Sequence, residues 1–212
     1  MIHRTVSITL TVLVFASMLC AQTREPASKN PGPVSYGIVV DNSGSYRGLL
    51  ERVINLVGSI ASKNSADDET FLVTFVDASK TVVRQELTSD KHEINEAVEN
   101  MYIEGGPSMV LDAVRLSLDY LSANTKSDGR IRALLLITDG DDRGSSAKIE
   151  TVISAAKEAK IRIVVVGMTD EKLNTKLLDR LAKESGGSAF YPRTPKETTA
   201  VVETVSSAIR GN

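Results

Sequence analysis

The sequence predicts a doubly wound α/β domain: a mainly parallel, six-stranded sheet with helices on both faces and one antiparallel edge strand. Three observations predict it. Residues 131–137 and 161–166 are near-continuous aliphatic runs, the pattern of central parallel strands covered on both sides. Strand-like and helix-like segments alternate through almost the whole chain. Asp41 and Asp139 each follow a strand-like run, at the carboxyl end where such sheets open their ligand crevice.

Taken in order, residues 34–40 form an apolar first strand. Apolar residues at 49, 50, 53, 54, 56, 57 and 60 then mark a helix, with Ser45 as its candidate cap. A charged turn at 67–69 leads into a strand at 71–76. The four-residue link 77–80 predicts an antiparallel hairpin, whose more polar arm, 81–87, belongs at the sheet edge. Ser89 or Asp90 caps a short helix through Met101, with Ile94, Ala97, Val98 and Met101 on one face. Gly105 and Gly106 break the chain, and Ser108 is the expected cap of a longer helix carrying Val110, Leu111, Val114, Leu118 and Leu121.

Between the two aliphatic strands, residues 145–160 read as helix. Another helix, 173–183, is stopped by Gly186 and Gly187. Residues 188–191 make a short last strand and 196–209 a last helix. If the strands ending at Asp41 and Asp139 are neighbours, both carboxylates face one crevice and the Ser108 loop closes over it. Strand order 3-2-1-4-5-6 satisfies this; it is the convergence of these residues that argues for that order.

The first residues read as an export signal. Arg4 supplies a positive start, residues 6–19 a short apolar stretch, and Cys20-Ala21-Gln22 a cleavage region. The stretch is shorter than the roughly 20 apolar residues of a spanning helix. Leu19 stands where lipoprotein signals carry a small residue, so cleavage after Ala21 is expected rather than lipid attachment at Cys20. Residues 1–21 are thus assigned to a signal peptide. Residues 22–33, polar with three prolines, form a tether, and 34–212 the domain. Localisation follows as periplasmic or extracellular.

Cleavage removes the one cysteine, leaving no disulfide, thiolate metal site or cysteine nucleophile. It leaves His92 as the single histidine, which rules out a His-rich zinc centre. A net charge of −2 without a basic run, and an aromatic content of 4% without tryptophan, give no basis for nucleic-acid binding.

The chemistry concentrates in Asp41-Asn42-Ser43-Gly44-Ser45, directly after the first strand. Alternation puts an oxygen-bearing side chain on every second residue, so three can converge on one point. Gly44 gives the turn backbone freedom. Hard oxygen ligands suit Mg²⁺, Mn²⁺ or Ca²⁺ rather than zinc or copper. An EF-hand loop is excluded by Tyr46 at its sixth position and Arg52 at its twelfth. A phosphatase of the haloacid dehalogenase type also starts from an aspartate after a strand. It would want a second acid two residues on, where this chain has Ser43, and a general acid that is lacking. A turn with a capping serine is the plain structural reading of the segment alone.

The set D-x-S-x-S, then Ser108, then Asp139, together with GIVVDNSGS, FLVTF, GGPSMVLDAV and ALLLITDGDD, resembles the metal-ion-dependent adhesion site of von Willebrand factor A domains. The likeness covers residues 34–209 and looks nearest to a bacterial secreted subgroup. It implies that Asp41, Ser43, Ser45, Ser108 and Asp139 hold Mg²⁺ (or Mn²⁺ or Ca²⁺), some through water. It further implies a partner protein whose Asp or Glu carboxylate completes the ion's shell, with no enzymatic activity. The family usually has threonine where Ser108 stands; serine keeps the oxygen and loses a methyl. The alternatives are a metal-dependent phosphohydrolase and a module whose metal only staples loops. Asp141 and Asp142 are expected to be solvated. Asp112 is expected to orient Ser108 or the loop, His92 to be a surface residue, and Asp77 a turn residue. Tyr46 is left between packing and lining a ligand surface.

Overall fold

A computed structural model describes residues 32–126, 128–170 and 173–212. The signal-peptide assignment, 1–21, and nearly all of the tether lie outside the described residues. Six strands form one sheet in the order β3-β2-β1-β4-β5-β6. They are β1 (Val34–Asp41), β2 (Glu69–Phe75), β3 (Val82–Thr88), β4 (Ile131–Thr138), β5 (Ile161–Gly167) and β6 (Ala189–Phe190). All neighbours are parallel except β2 and β3, the predicted hairpin. Among the described residues six α-helices cover the sheet: α1 (Leu50–Ala61), α2 (Lys91–Glu99), α3 (Val110–Asn124), α4 (Ile149–Glu158), α5 (Thr175–Ser185) and α6 (Pro195–Arg210).

The aliphatic strands explain the layering. Side chains alternate along each strand, so a run that is apolar throughout feeds two cores at once. Ile38, Val40, Leu135, Ile137, Val164 and Val166 pack with α1, α2 and α6 on one side. Val39, Leu134, Leu136, Ile163 and Val165 pack with α3, α4 and α5 on the other. Gly37 lets the two central strands accept a large neighbour, since a Cβ there would stand 2.2 Å from the Phe71 ring.

At the sheet's far end Asp68 ties the fold together. Its buried carboxylate accepts from the Val34 and Ser65 amides, at 2.9 and 2.6 Å, and from the Arg210 guanidinium in the last turn of α6. Burial alone would raise its pKa; these hydrogen bonds outweigh burial and hold it below the ordinary carboxylate value.

Several elements begin elsewhere than expected. Ser45 lies in a 3-10 turn, Gly44–Tyr46, and α1 starts from Leu49 without a side-chain cap. Gly44 keeps a right-handed backbone there, so glycine's freedom is not what the turn needs. Ser108 is not the cap of α3; Met109 holds that position with no side-chain hydrogen bond. The helix expected from 145 begins at Ile149, because Asp112 holds the Ser146 and Ala147 amides at 2.9 and 2.7 Å outside it. Asp90, of the two candidates, caps α2 through the His92 amide. Gly186, at φ 82°, ends α5 in the left-handed conformation.

Candidate functional site

The winding reverses between β1 and β4, and there the two strands end on polar residues. Asp41 closes β1, paired across to Phe75 of β2. Val40 pairs with Ile137, so the next step brings Asp41 beside Thr138 of β4, with Asp139 immediately after. Gly140 turns the chain away at φ 77°, where a Cβ would stand 2.9 Å from Leu178 and 3.1 Å from the Asn174 carbonyl. The β2–β3 side contributes the loop that carries Ser108. That loop is pinned by the Glu104 amide on the Asn42 carbonyl (3.1 Å) and the Met109 amide on the Val76 carbonyl (2.7 Å).

Asp41 is the floor of the site. Only 1% exposed, it accepts from the Ser43 amide on Oδ1 (3.0 Å). On Oδ2 it accepts from the Ser108 and Thr138 hydroxyls, at 2.7 and 2.8 Å. Burial raises its pKa, and the hydrogen bonds from Ser43, Ser108 and Thr138 work against that rise. Thr138 was not among the residues read from the sequence. Its signal was faint: one hydroxyl at the end of an aliphatic strand, immediately before an acid.

Above this floor lies a cleft of about 330 Å³, lined by Ser43, Ser45, Ser108 and Asp139 together with Asp141 and Arg143. The structure therefore brings four of the five proposed site residues onto one cleft, with Asp41 directly beneath Ser108. Ser43 and Ser45 hydroxyls stand 3.1 Å apart; Ser45 is exposed and Ser43 buried. Asp139 is fixed through Oδ1 by the Asp141 amide at 2.9 Å. Among the described residues no group of three or more His, Cys, Asp or Glu gathers to hold a metal. The donors available here are two carboxylates and three serine hydroxyls, an all-oxygen set of the kind hard cations take.

The surrounding acids have separate work. Asp142 is not solvated as expected: its Oδ1 accepts from the Leu111 amide and the Ser145 hydroxyl, at 3.3 and 2.5 Å. Asp141 pairs with Arg143. Asp112 orients the 145–147 loop, as described, rather than Ser108. Tyr46 is a packing residue, 1% exposed, whose hydroxyl donates to the Met168 carbonyl at 2.8 Å. It braces the 3-10 turn against the end of β5. Burial first, then the charges of Asp41 and Asp139, push its phenol far above the usual value. Asp77 is a turn residue, accepting from the Ser79 amide and hydroxyl. His92 is exposed in the first turn of α2.

A six-stranded, doubly wound sheet with an oxygen-lined cleft at its switch point belongs to the open α/β class, whose crevices lie beyond the carboxyl ends of the strands. The family model for the von Willebrand factor type A domain matches residues 37–204, and the chain belongs to that family. Its members often mediate protein–protein interactions and are generally non-enzymatic adhesion modules. The chain is 25% identical over 173 residues to an uncharacterized Escherichia coli protein, YfbK. That match covers 77% of this chain and 29% of YfbK, so the chain spans less than a third of that relative's length. A solved aerotolerance-related membrane protein from Bacteroides fragilis superposes with a TM-score of 0.68 at 19% identity, over 84% of this chain and all of that one. A von Willebrand factor type A structure from Catenulispora acidiphila gives 0.68 at 18% identity, over 84% of this chain and 43% of that one. Proximal thread matrix protein 1 of the mussel byssus gives 0.68 at 17%, over 84% and 46%. At these identities the likeness shows the fold.

Proposed function

We propose that this domain is an exported, divalent-cation-dependent protein-binding module. Asp41, Ser43, Ser45, Ser108 and Asp139 would hold Mg²⁺, with Mn²⁺ or Ca²⁺ as substitutes. The observation that carries the reading is the joining of three distant segments on one carboxylate: Asp41 is held by Ser43 beside it, by Ser108 and by Thr138. The Ser43 amide and the Ser108 and Thr138 hydroxyls thereby bring the ends of all three segments to one carboxylate beside the cleft.

The charge balance supports the same reading. Two carboxylates against a divalent cation give local neutrality, and the serines add oxygens without charge. A cation held this way supplies electrostatic attraction for one more anion. The anion with the right size and charge on a protein partner is an Asp or Glu carboxylate. The chain's own residues hold the position, and the surrounding loops set which partner fits. A contact of that kind acts as a hot spot within a larger interface.

The phosphohydrolase alternative would want a second acid two residues after Asp41, where Ser43 stands, and an exposed Asp41, which is instead 1% exposed and not among the residues lining the cleft. The test is capture of partners from native envelope and medium on immobilised protein, in Mg²⁺ and in chelator. A protein retained in Mg²⁺, released by chelator and lost with Asp41→Ala is the expected result. A partner retained equally in both buffers would mean docking elsewhere, and phosphate release from a generic ester would favour the enzyme.

A further inference from the structure

The cleft contains a cation that metal binding alone does not call for. Arg143 lines it beside Ser108, Asp139 and Asp141, and is the single positive side chain among those lining residues. A positive charge next to a cation site weakens cation binding, so its place here asks for another use. Its main chain is fixed: the Arg143 amide donates to the Ser108 carbonyl at 2.7 Å, pinning it to the loop that bears a proposed ligand. Its side chain is 69% exposed. The guanidinium reaches back to Asp141, where Nε and Nη2 both meet the one oxygen Oδ2, at 2.6 and 2.5 Å. Asp141 in turn holds Asp139 through its own amide.

We infer that Arg143 is the specificity-determining residue of this cleft, gripping the carboxylate of the partner's acidic side chain. This rests on the acidic-ligand reading above. Asp141 is the internal carboxylate that keeps the guanidinium in place while no partner is bound. An incoming Asp or Glu carboxylate presents two anionic oxygens to this exposed guanidinium, and only side-chain rotation is needed because the backbone stays bonded to Ser108. The arrangement discriminates by charge. A carboxylate gains both the site's attraction and the guanidinium, whereas an Asn or Gln amide of the same shape places a donor against a donor. Arginine also suits the role better than lysine, since the planar fork matches a carboxylate and an ammonium does not.

The test uses the full domain loaded with Mg²⁺ and two probes, Ac-Gly-Asp-Gly-NH2 and Ac-Gly-Asn-Gly-NH2, titrated by ¹⁵N NMR. The native protein is expected to bind the Asp peptide only with Mg²⁺, with movement of the Arg143 side-chain Nε–H signal. Arg143→Ala should weaken the Asp peptide by about threefold to tenfold and leave the Asn peptide unchanged. Arg143→Lys should fall between. Mg²⁺ affinity itself, by calorimetry, should be equal or slightly tighter in Arg143→Ala. An Asp peptide that binds Arg143→Ala as it binds the native protein, still in a Mg²⁺-dependent way, would overturn the role of Arg143 and leave the acidic-ligand reading standing. No Mg²⁺-dependent binding by the native protein would overturn that reading and the inference with it.

Discussion

The Ser108 hydroxyl donates to Asp41 Oδ2 at 2.7 Å, joining residues 67 positions apart in the chain. The Ser108 hydroxyl is therefore not spent on the helix that follows it. Ser108 stands where a helix cap is expected, yet its oxygen goes to the site and α3 begins uncapped. A cap of that kind contributes roughly 1 kcal/mol, so the helix forgoes it for the long-range contact.

The first prediction concerns that hydroxyl. Ser108→Ala removes a donor to Asp41 and one proposed ligand, and is expected to weaken Mn²⁺ binding by about tenfold, the equivalent of one modest hydrogen bond. Ser108→Thr keeps the oxygen and should bind as well as the native protein or better. Titration calorimetry on the two variants checks it; equal loss in both would mean that shape, not the hydroxyl, matters.

Thr138 carries the second. Its hydroxyl donates to Asp41 and accepts from the Gly140 amide at 3.1 Å, with no exposure to solvent. Thr138→Val preserves the shape and strips both bonds, leaving the buried Gly140 amide without its acceptor and Asp41 Oδ2 with the Ser108 hydroxyl alone. A loss of about 1–3 kcal/mol in urea unfolding is expected, with Thr138→Ser restoring most of it. Native stability in Thr138→Val would show that Asp41 does not depend on it.

The third is a pH dependence with opposite signs for fold and site. Burial holds Asp41 above its ordinary pKa of 3.8. A carboxyl raised on folding stabilises the metal-free protein below its unfolded value, and that contribution is lost as pH rises through the folded value. Metal-free Asp41→Asn should therefore be more stable than the native protein at pH 7, and the gap should close on acidification. Mn²⁺ affinity of the native protein should move the other way, falling as protons compete for Asp41. Thermal melts of both proteins across pH, with and without Mn²⁺, read both trends.

Asp68 gives the fourth, with the reverse sign. Its folded pKa lies below 3.8, so its stabilisation is present above the unfolded value and is lost as pH falls through the folded one. Asp68→Ala leaves the Arg210 guanidinium and the Val34 and Ser65 amides without their acceptor. About 3 kcal/mol of stability should disappear at pH 7, and the difference from the native protein should shrink below about pH 4. Denaturant unfolding at pH 7 and pH 3 decides it.

The sheet was legible because its signal is redundant. Residues 131–137 and 161–166 are aliphatic at every position but one each, Arg132 and Arg162, and two packed faces demand that. The crevice was legible through spacing, since D-x-S-x-S after a strand already aims oxygens at one side. What the sequence hid were choices made between distant residues. A serine before a helix reads as a cap until Asp41 is seen to hold it. Residues 145–148 read as helix until Asp112, more than 30 positions earlier, is seen to take the Ser146 and Ala147 amides. Thr138 reads as strand filler, because a β-branched residue at a strand end needs no further reason to be there. Tyr46, next to the motif, shows its packing role only once β5 is placed beside it.

The central claim is that Asp41 and Asp139 together hold a divalent cation over the end of the sheet. At about 4 Å and an effective dielectric near 20, one charge pair is worth on the order of 4 kcal/mol before rehydration reduces it. Calorimetric titration of Mn²⁺ into the native protein, Asp41→Ala and Asp139→Ala measures this directly, with circular dichroism confirming the fold of each. The account predicts one saturable site in the native protein and its loss in both variants. Equal Mn²⁺ affinity in all three proteins, or none in the native one, would contradict it.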